Sequence, residues 1–322
     1  MNILMLLIWI LILFAVVMLH VAYATYFERK IIGHMQVRLG PMRVGWHGLL
    51  QPIADGVKSF FKEDIIPENA DKPTFLAAPI ICLTAMMTSL AVLPFAKGWV
   101  LADIDIGLLF IFAMSSLASY GVVLAGWSSN SKYSFLGGLR SMAQVISYEI
   151  SMGLSLVGVM LMAGSLNLTK IVEAQGDSFL GMYLLPQCIG FFVFFISMLA
   201  ETNRVPFDLP EAETELVSGY CTEYSGMRYA IFFMAEYIGM MVMASMATVC
   251  FLGGWNGPFA VPFFPPLWFV LKVYLFMFLF IWIRATLPRY RYDQLMDLGW
   301  KLLIPLALVN IVLTACLRAV LA

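Results

Sequence analysis

Charge is what this sequence has least of. Only 12% of its 322 residues are Asp, Glu, Lys or Arg, about half the share expected of a soluble domain. There is no excess of positive charge either: the formal net charge is -1, so no basic surface for nucleic acid is available. The five cysteines, Cys82, Cys188, Cys221, Cys250 and Cys316, are scattered, with no CxxC pair for zinc or an iron–sulfur cluster. Of the three histidines, His34 and His47 lie outside the apolar runs, which does not suit a bis-histidine haem. No GxGxxG and no P-loop is present. Flavin, iron–sulfur, haem and metal are therefore not expected on this chain.

Long apolar runs are what the sequence has in place of charge. Hydrophobic residues make up 61% of it. A bilayer-spanning helix needs about 20 such residues, and a transmembrane barrel would show short alternating segments instead. The expected class is an all-α polytopic membrane protein, one integral domain with eight spans at about 3–25, 75–95, 105–127, 140–163, 183–201, 228–252, 266–287 and 299–321. Ala22-Tyr23-Ala24 mimics a signal-peptidase site, but no basic region precedes it and Glu28-Arg29-Lys30 follows, so the first span is read as retained. Fifteen of the 19 Lys and Arg fall in or beside the segments 26–74, 128–139, 202–227 and 288–298. The positive-inside rule makes these loops cytoplasmic and puts both termini outside.

The first of these loops holds LLQPIADGVKSFFKED. Leu49, Leu50, Ile53, Val57, Phe60 and Phe61 share one helical face, and Gln51, Asp55, Lys58 and Lys62 the other. It is too short and charged to span. An interfacial amphipathic helix, or one packed under a partner subunit, uses the same pattern.

Ionisable residues inside apolar helices cost a few kcal/mol each and ask for a role. Glu149 and Glu236 lie in the fourth and sixth spans. Arg140, Gln144 and Tyr148 share a face at four-residue spacing, as do His20, Ala24 and Glu28. Between the fifth and sixth spans runs ETNRVPFDLPEAETELVSGYCTEYSG, with six carboxylates and one Arg. Asp208 reads as an N-cap with Pro210 in the first turn of a short helix, where Glu211 and Glu215 share a face and Glu213 does not. Structural ion pairs, Arg140 with Glu149 or Arg284 with Glu236, would explain single residues. So many carboxylates at one depth read better as a path for protons, because crowding and desolvation favour the protonated form. His20 reads as a hydrogen-bonded core residue, and the Met residues of the sixth span as lipid-facing or gap-filling.

Six segments, ERKIIGHMQVRLGP, LLQPIADGVKSFFKED, AGWSSNSKYSFLGGLRSMAQVISYE, the acidic stretch, FFMAEY and RATLPRYRYDQLMDLGWK, together resemble the quinone-site membrane subunit of respiratory complex I, the proton-pumping NADH:quinone oxidoreductase (lettered H in bacteria, numbered 1 in mitochondria). The resemblance covers nearly the whole chain; Met42 departs from the family's Asn. It implies a subunit joining a hydrophilic electron-transfer arm, bearing flavin and iron–sulfur clusters, to a membrane arm of antiporter-like and small subunits. It implies a quinone as substrate, ubiquinone first, and Arg29, Gln36, Arg38 and Asp55 along its channel. Glu149, Glu201, Asp208, Glu211, Glu213, Glu215, Glu223 and Glu236 would form the acidic relay, with Arg140, Arg204, Arg284 and Arg289 as charge partners. The bacterial inner membrane is the expected location, and the mitochondrial inner membrane the alternative. The rival readings are the membrane anchor of an energy-converting hydrogenase, an independent ion transporter and a passive scaffold.

Overall fold

The computed structural model describes residues 3–176, 181–210, 217–257 and 265–321. Among these, every regular element is a helix: α1 (Ile3–Met35), α2 (Gln51–Phe61), α3 (Lys72–Leu90), α4 (Gly107–Ser128), α5 (Lys132–Ala163), α6 (Leu168–Ala174), α7 (Cys188–Glu201), α8 (Gly226–Phe251), α9 (Pro265–Thr286), α10 (Tyr292–Asp297) and α11 (Ile304–Leu321). A π-helical turn, Leu298–Leu303, joins α10 to α11 just before Pro305. Proline lacks the N–H that would close an α-turn and crowds the carbonyl four residues back, so widening that turn relieves both.

Among the described residues seven helices are long and apolar enough to cross a membrane. The fifth expected span is the exception: its helix, Cys188–Glu201, has only 14 residues. At 1.5 Å per residue it covers roughly 21 Å, short of a ~30 Å hydrocarbon core. Non-helical backbone at such depth is tolerated where protein covers it. Here Met182, Tyr183 and Gln187 are buried before the helix, and Thr202 and Arg204 after it. Two helices also overrun their expected spans, α1 to Met35 and α5 from Lys132.

The core gathers around α8, which carries more buried residues than any other described helix. Met240, Met243 and Met246 are buried there, filling gaps in the bundle and not facing lipid. Elsewhere the long helices turn apolar side chains outward, as α1 does with Leu4, Leu7, Leu11 and Leu19. The amphipathic helix α2 also points its apolar face away from the bundle, with Phe60 70% and Phe61 87% exposed. Helices α1, α4, α7 and α9 end, and α3, α5 and α8 begin, at one end of the bundle, where most of the Lys and Arg collect. We call it the basic end.

Candidate functional site

Near the basic end, α1, α8, α9 and the turns after α7 bring three carboxylates and three guanidiniums together. Glu28 of α1 is buried and accepts hydrogen bonds from Arg204 Nη1 (3.0 Å), Tyr237 Oη (2.5 Å) and Arg284 Nη1. Glu236 of α8 lies 2.5 Å from Arg204 Nε. Arg204 also packs over the Tyr237 ring, 4.5 Å from its centroid. Asp208 pairs with Arg289 at 2.8 Å. Buried ion pairs survive only where further hydrogen bonds replace lost water, and Glu28 meets that condition with three donors. Burial opposes the Arg204 charge, but Glu236 and Glu28 outweigh it, so its proton is held more tightly than in a free guanidinium. Burial pushes the Asp208 carboxyl above the usual carboxylate range, against the pull of Arg289.

The pairs in this charge knot differ from those weighed as the alternative to a proton path. Arg284 binds Glu28, and Glu236 takes Arg204 instead. Glu149 has no ion pair among the described residues; Ser116 of α4 donates to it. Which helices touch is decided by packing, and charge alone cannot report it.

A second pair of carboxylates lies beside the knot, with no ion pair among the described residues. Glu201 ends α7, is 7% exposed, and its Oε2 is buried with no hydrogen-bond partner among the described residues. Glu149 of α5 accepts from Ser116 of α4. Two cavities connect these groups. One, of about 60 Å³, is lined by Glu201 and Glu236 with Ser119, Ser141, Thr202 and Asn203. The other, of about 150 Å³, is lined by Glu149 with Ser116, Ser119 and Tyr120. Ser119 belongs to both walls. Cavities of this size with several polar groups in their walls have room for water.

Gln144 holds the turns after α7 against α5, donating to Ala200 O (2.7 Å) and Phe207 O (2.8 Å). His20 bonds Tyr274 Oη through Nδ1 at 3.0 Å, as a core histidine does.

A cleft of about 540 Å³ lies between α2, the turn Gly219–Cys221 and the first turns of α8. Arg29 and Asp55 line it, joined at 2.6 Å, with Lys58, Lys62, Tyr229 and Phe233. Its volume is in the range of small-molecule sites, about 300–1,000 Å³. Gln36 and Arg38 do not line it: they bond each other at 2.8 Å on the exposed loop after α1. A row of rings on α8 leads from cleft to knot, the first pair stacked and the second tilted. Tyr229 and Phe233 lie 6.4 Å apart, Phe233 and Tyr237 4.8 Å, centroid to centroid.

Of the remaining expected site residues, Glu223 is half-buried, makes no ion pair among the described residues, and has chain neighbours, Thr222 and Tyr224, in the cleft wall. Arg140 is half-buried on α5. Glu211, Glu213 and Glu215, with the short helix expected to follow Asp208, lie outside the described residues. Tyr237 and Ser116 were not anticipated, nor Glu28 as the hub. Tyr229, Phe233 and Tyr237 do show a readable signal, aromatic residues at four-residue spacing. Among the described residues no group of three or more His, Cys, Asp or Glu is placed to hold a metal.

A family model described as NADH dehydrogenase matches residues 8–315. One of two H-type NADH-quinone oxidoreductase subunits of Geobacter metallireducens is 56% identical over 326 residues, covering 95% of this chain and 93% of the relative. The H-type NADH-quinone oxidoreductase subunit of Rickettsia typhi is 58% identical over 301 residues, covering 92% and 88%. The protein of that name from Rhodospirillum rubrum is 55% identical over 299 residues, with the same coverage of 92% and 88%.

Proposed function

The chain belongs to the NADH dehydrogenase family, and from that premise we propose that it is the quinone-site membrane subunit of a proton-translocating NADH:quinone oxidoreductase, the complex named in its relatives. It acts within the assembled complex and not alone. Its basic end, facing the cytoplasm, receives the hydrophilic electron-transfer subunits that carry flavin and iron–sulfur clusters. Its lateral faces meet lipid and the antiporter-like and small membrane-arm subunits. The membrane is the inner membrane of a bacterium.

The cleft is the quinone's access from the bilayer, ubiquinone being the first candidate. Its apolar rings suit a quinone ring, and the Arg29–Asp55 pair supplies polar contacts at its mouth. Reduction of a quinone puts negative charge on its oxygens until protons arrive. That charge, at the end of the Tyr229–Phe233–Tyr237 row, competes with Glu28 and Glu236 for Arg204 and Arg284. Carboxylates released from their cations take up protons, and the shared cavity offers a route from Glu236 to Glu201 and, by way of Ser119, to Glu149. The row of rings carries this reading, because it makes cleft and carboxylates one connected site. The switch is a local change of charge biasing a linked set of groups.

The quinone assignment is tested by titrating a quinone-analogue inhibitor against the assembled complex with Arg29→Ala or Asp55→Ala. The expected result is an inhibitor affinity about tenfold weaker, equivalent to about 1.4 kcal/mol, with assembly near normal. Unchanged titration in an assembled variant would remove these residues from the quinone path.

A further inference from the structure

Lys272 lies within α9, buried and far from the basic end, with no ion pair among the described residues. Its ammonium donates to three backbone carbonyls: Leu252 O at 2.6 Å, Gly254 O at 2.9 Å and Asn256 O at 2.5 Å. An ammonium has three donors and no acceptor, so the set is saturated.

Those carbonyls follow directly on the C-terminus of α8. A helix leaves its last carbonyls without partners and carries partial negative charge at that end. Here the end is closed in layers. Gly254 N donates to Thr248 O (2.9 Å), with Gly253 and Gly254 in left-handed conformations that favour glycine. Gln175, just after α6, donates to Val249 O (2.8 Å) and accepts from Gly253 N (2.9 Å). Lys272 covers the carbonyls that remain. A Lys so placed is a cation delivered on a tether to a cradle of backbone oxygens.

The same helix carries Arg284, roughly 18 Å further along its axis at 1.5 Å per residue. Arg284 binds Glu28, and Glu28 is bonded by Tyr237 of α8. Helices α8 and α9 are thus tied at both ends, through the carbonyl cradle at one and the charge knot at the other. We propose that Lys272 is a positioning residue for the knot: its ammonium fills a carbonyl cradle of monovalent-cation type and so fixes the register of α8, with Glu236 and Tyr237, against Arg284. A shift of the far end slides Tyr237 along Glu28 and loosens the coupling between cleft and carboxylates.

The inference rests on the proposed role of the knot in quinone coupling, and two variants separate them. Wild-type turnover in an assembled Glu236→Gln complex would defeat that role itself. Wild-type turnover in an assembled Lys272→Met complex, beside a defective Glu236→Gln, would defeat only the role of Lys272. The test measures quinone reductase turnover per assembled complex in membranes carrying Lys272→Met, with ammonium chloride or tetramethylammonium chloride added. Turnover should fall about tenfold, since small displacements at a reacting site are costly. Ammonium, which fits the cradle and has N–H donors, should restore part of it, and tetramethylammonium none. Lowered turnover without an ammonium response would overturn the cradle. If the Met variant does not assemble, Lys272→Arg keeps the charge but cannot point three donors at converging carbonyls, and should assemble with lowered turnover. Failure of both to assemble, with ammonium present, would make Lys272 a folding requirement only and overturn the positioning role.

Discussion

Two groups of carboxylates share one half of this bundle and live in opposite surroundings. Glu28, Glu236 and Asp208 each touch a guanidinium. Among the described residues Glu149 accepts from the Ser116 hydroxyl, and neither Glu149 nor Glu201 has an ion pair. In the first group each charge is held by its partner, because removing either partner strands a buried charge. In the second an ionised carboxylate has no counter-charge among the described residues, which makes it a place to keep a proton. A relay needs both kinds: a set that responds to an outside charge, and a set that accepts and releases the proton. The shared cavity lined by Glu201 and Glu236 is where the two meet.

The comparison breaks most severely at Arg204, which serves Glu28 and Glu236 together. Arg204→Met should cost about 3–5 kcal/mol of stability, as loss of one member of a buried ion pair does. The complex should then be recovered in low yield, measured by native electrophoresis of membranes. Adding Glu236→Gln should recover part of it, since one stranded charge is removed. A lesser break is Tyr237→Phe, which deletes the 2.5 Å bond to Glu28 and keeps the ring under Arg204. About 1.5–3 kcal/mol is expected for a hydrogen bond to a charged group. Thermal inactivation should come earlier, with assembly preserved. Smallest is the Arg29–Asp55 pair, whose side chains are 51% and 38% exposed. Its loss should change stability by no more than about 1 kcal/mol, so any large effect on inhibitor binding reports the quinone path itself.

Much of this was legible before the fold. Apolar runs located seven of the spans, and Glu149 and Glu236 stood out as charges inside them. The fifth span shows the limit: residues 183–201 are apolar throughout most of their length, but hydropathy does not distinguish a helix from buried turns. Pro186 and Gln187 precede the helix, and Gln187 is held by Thr314 and Asn310 of α11. The hub role of Glu28 was hidden for a different reason. Its partners lie 176, 209 and 256 positions away in the chain, and no local pattern connects them. The row of rings on α8 was visible as spacing but had no meaning until α2 and the turn Gly219–Cys221 closed a cleft around its first two members.

The contrast between held charges and exchangeable protons is tested most directly by Glu201→Gln and Glu149→Gln in the assembled complex, sealed in vesicles. Gln mimics a carboxyl that is always protonated and cannot release its proton. The account predicts normal assembly and thermal stability, because no ion pair is lost. It predicts turnover, or protons moved per quinone reduced, lower by about tenfold or more, in line with loss of a proton-transfer group. Wild-type turnover and wild-type proton yield in fully assembled Gln variants would contradict it.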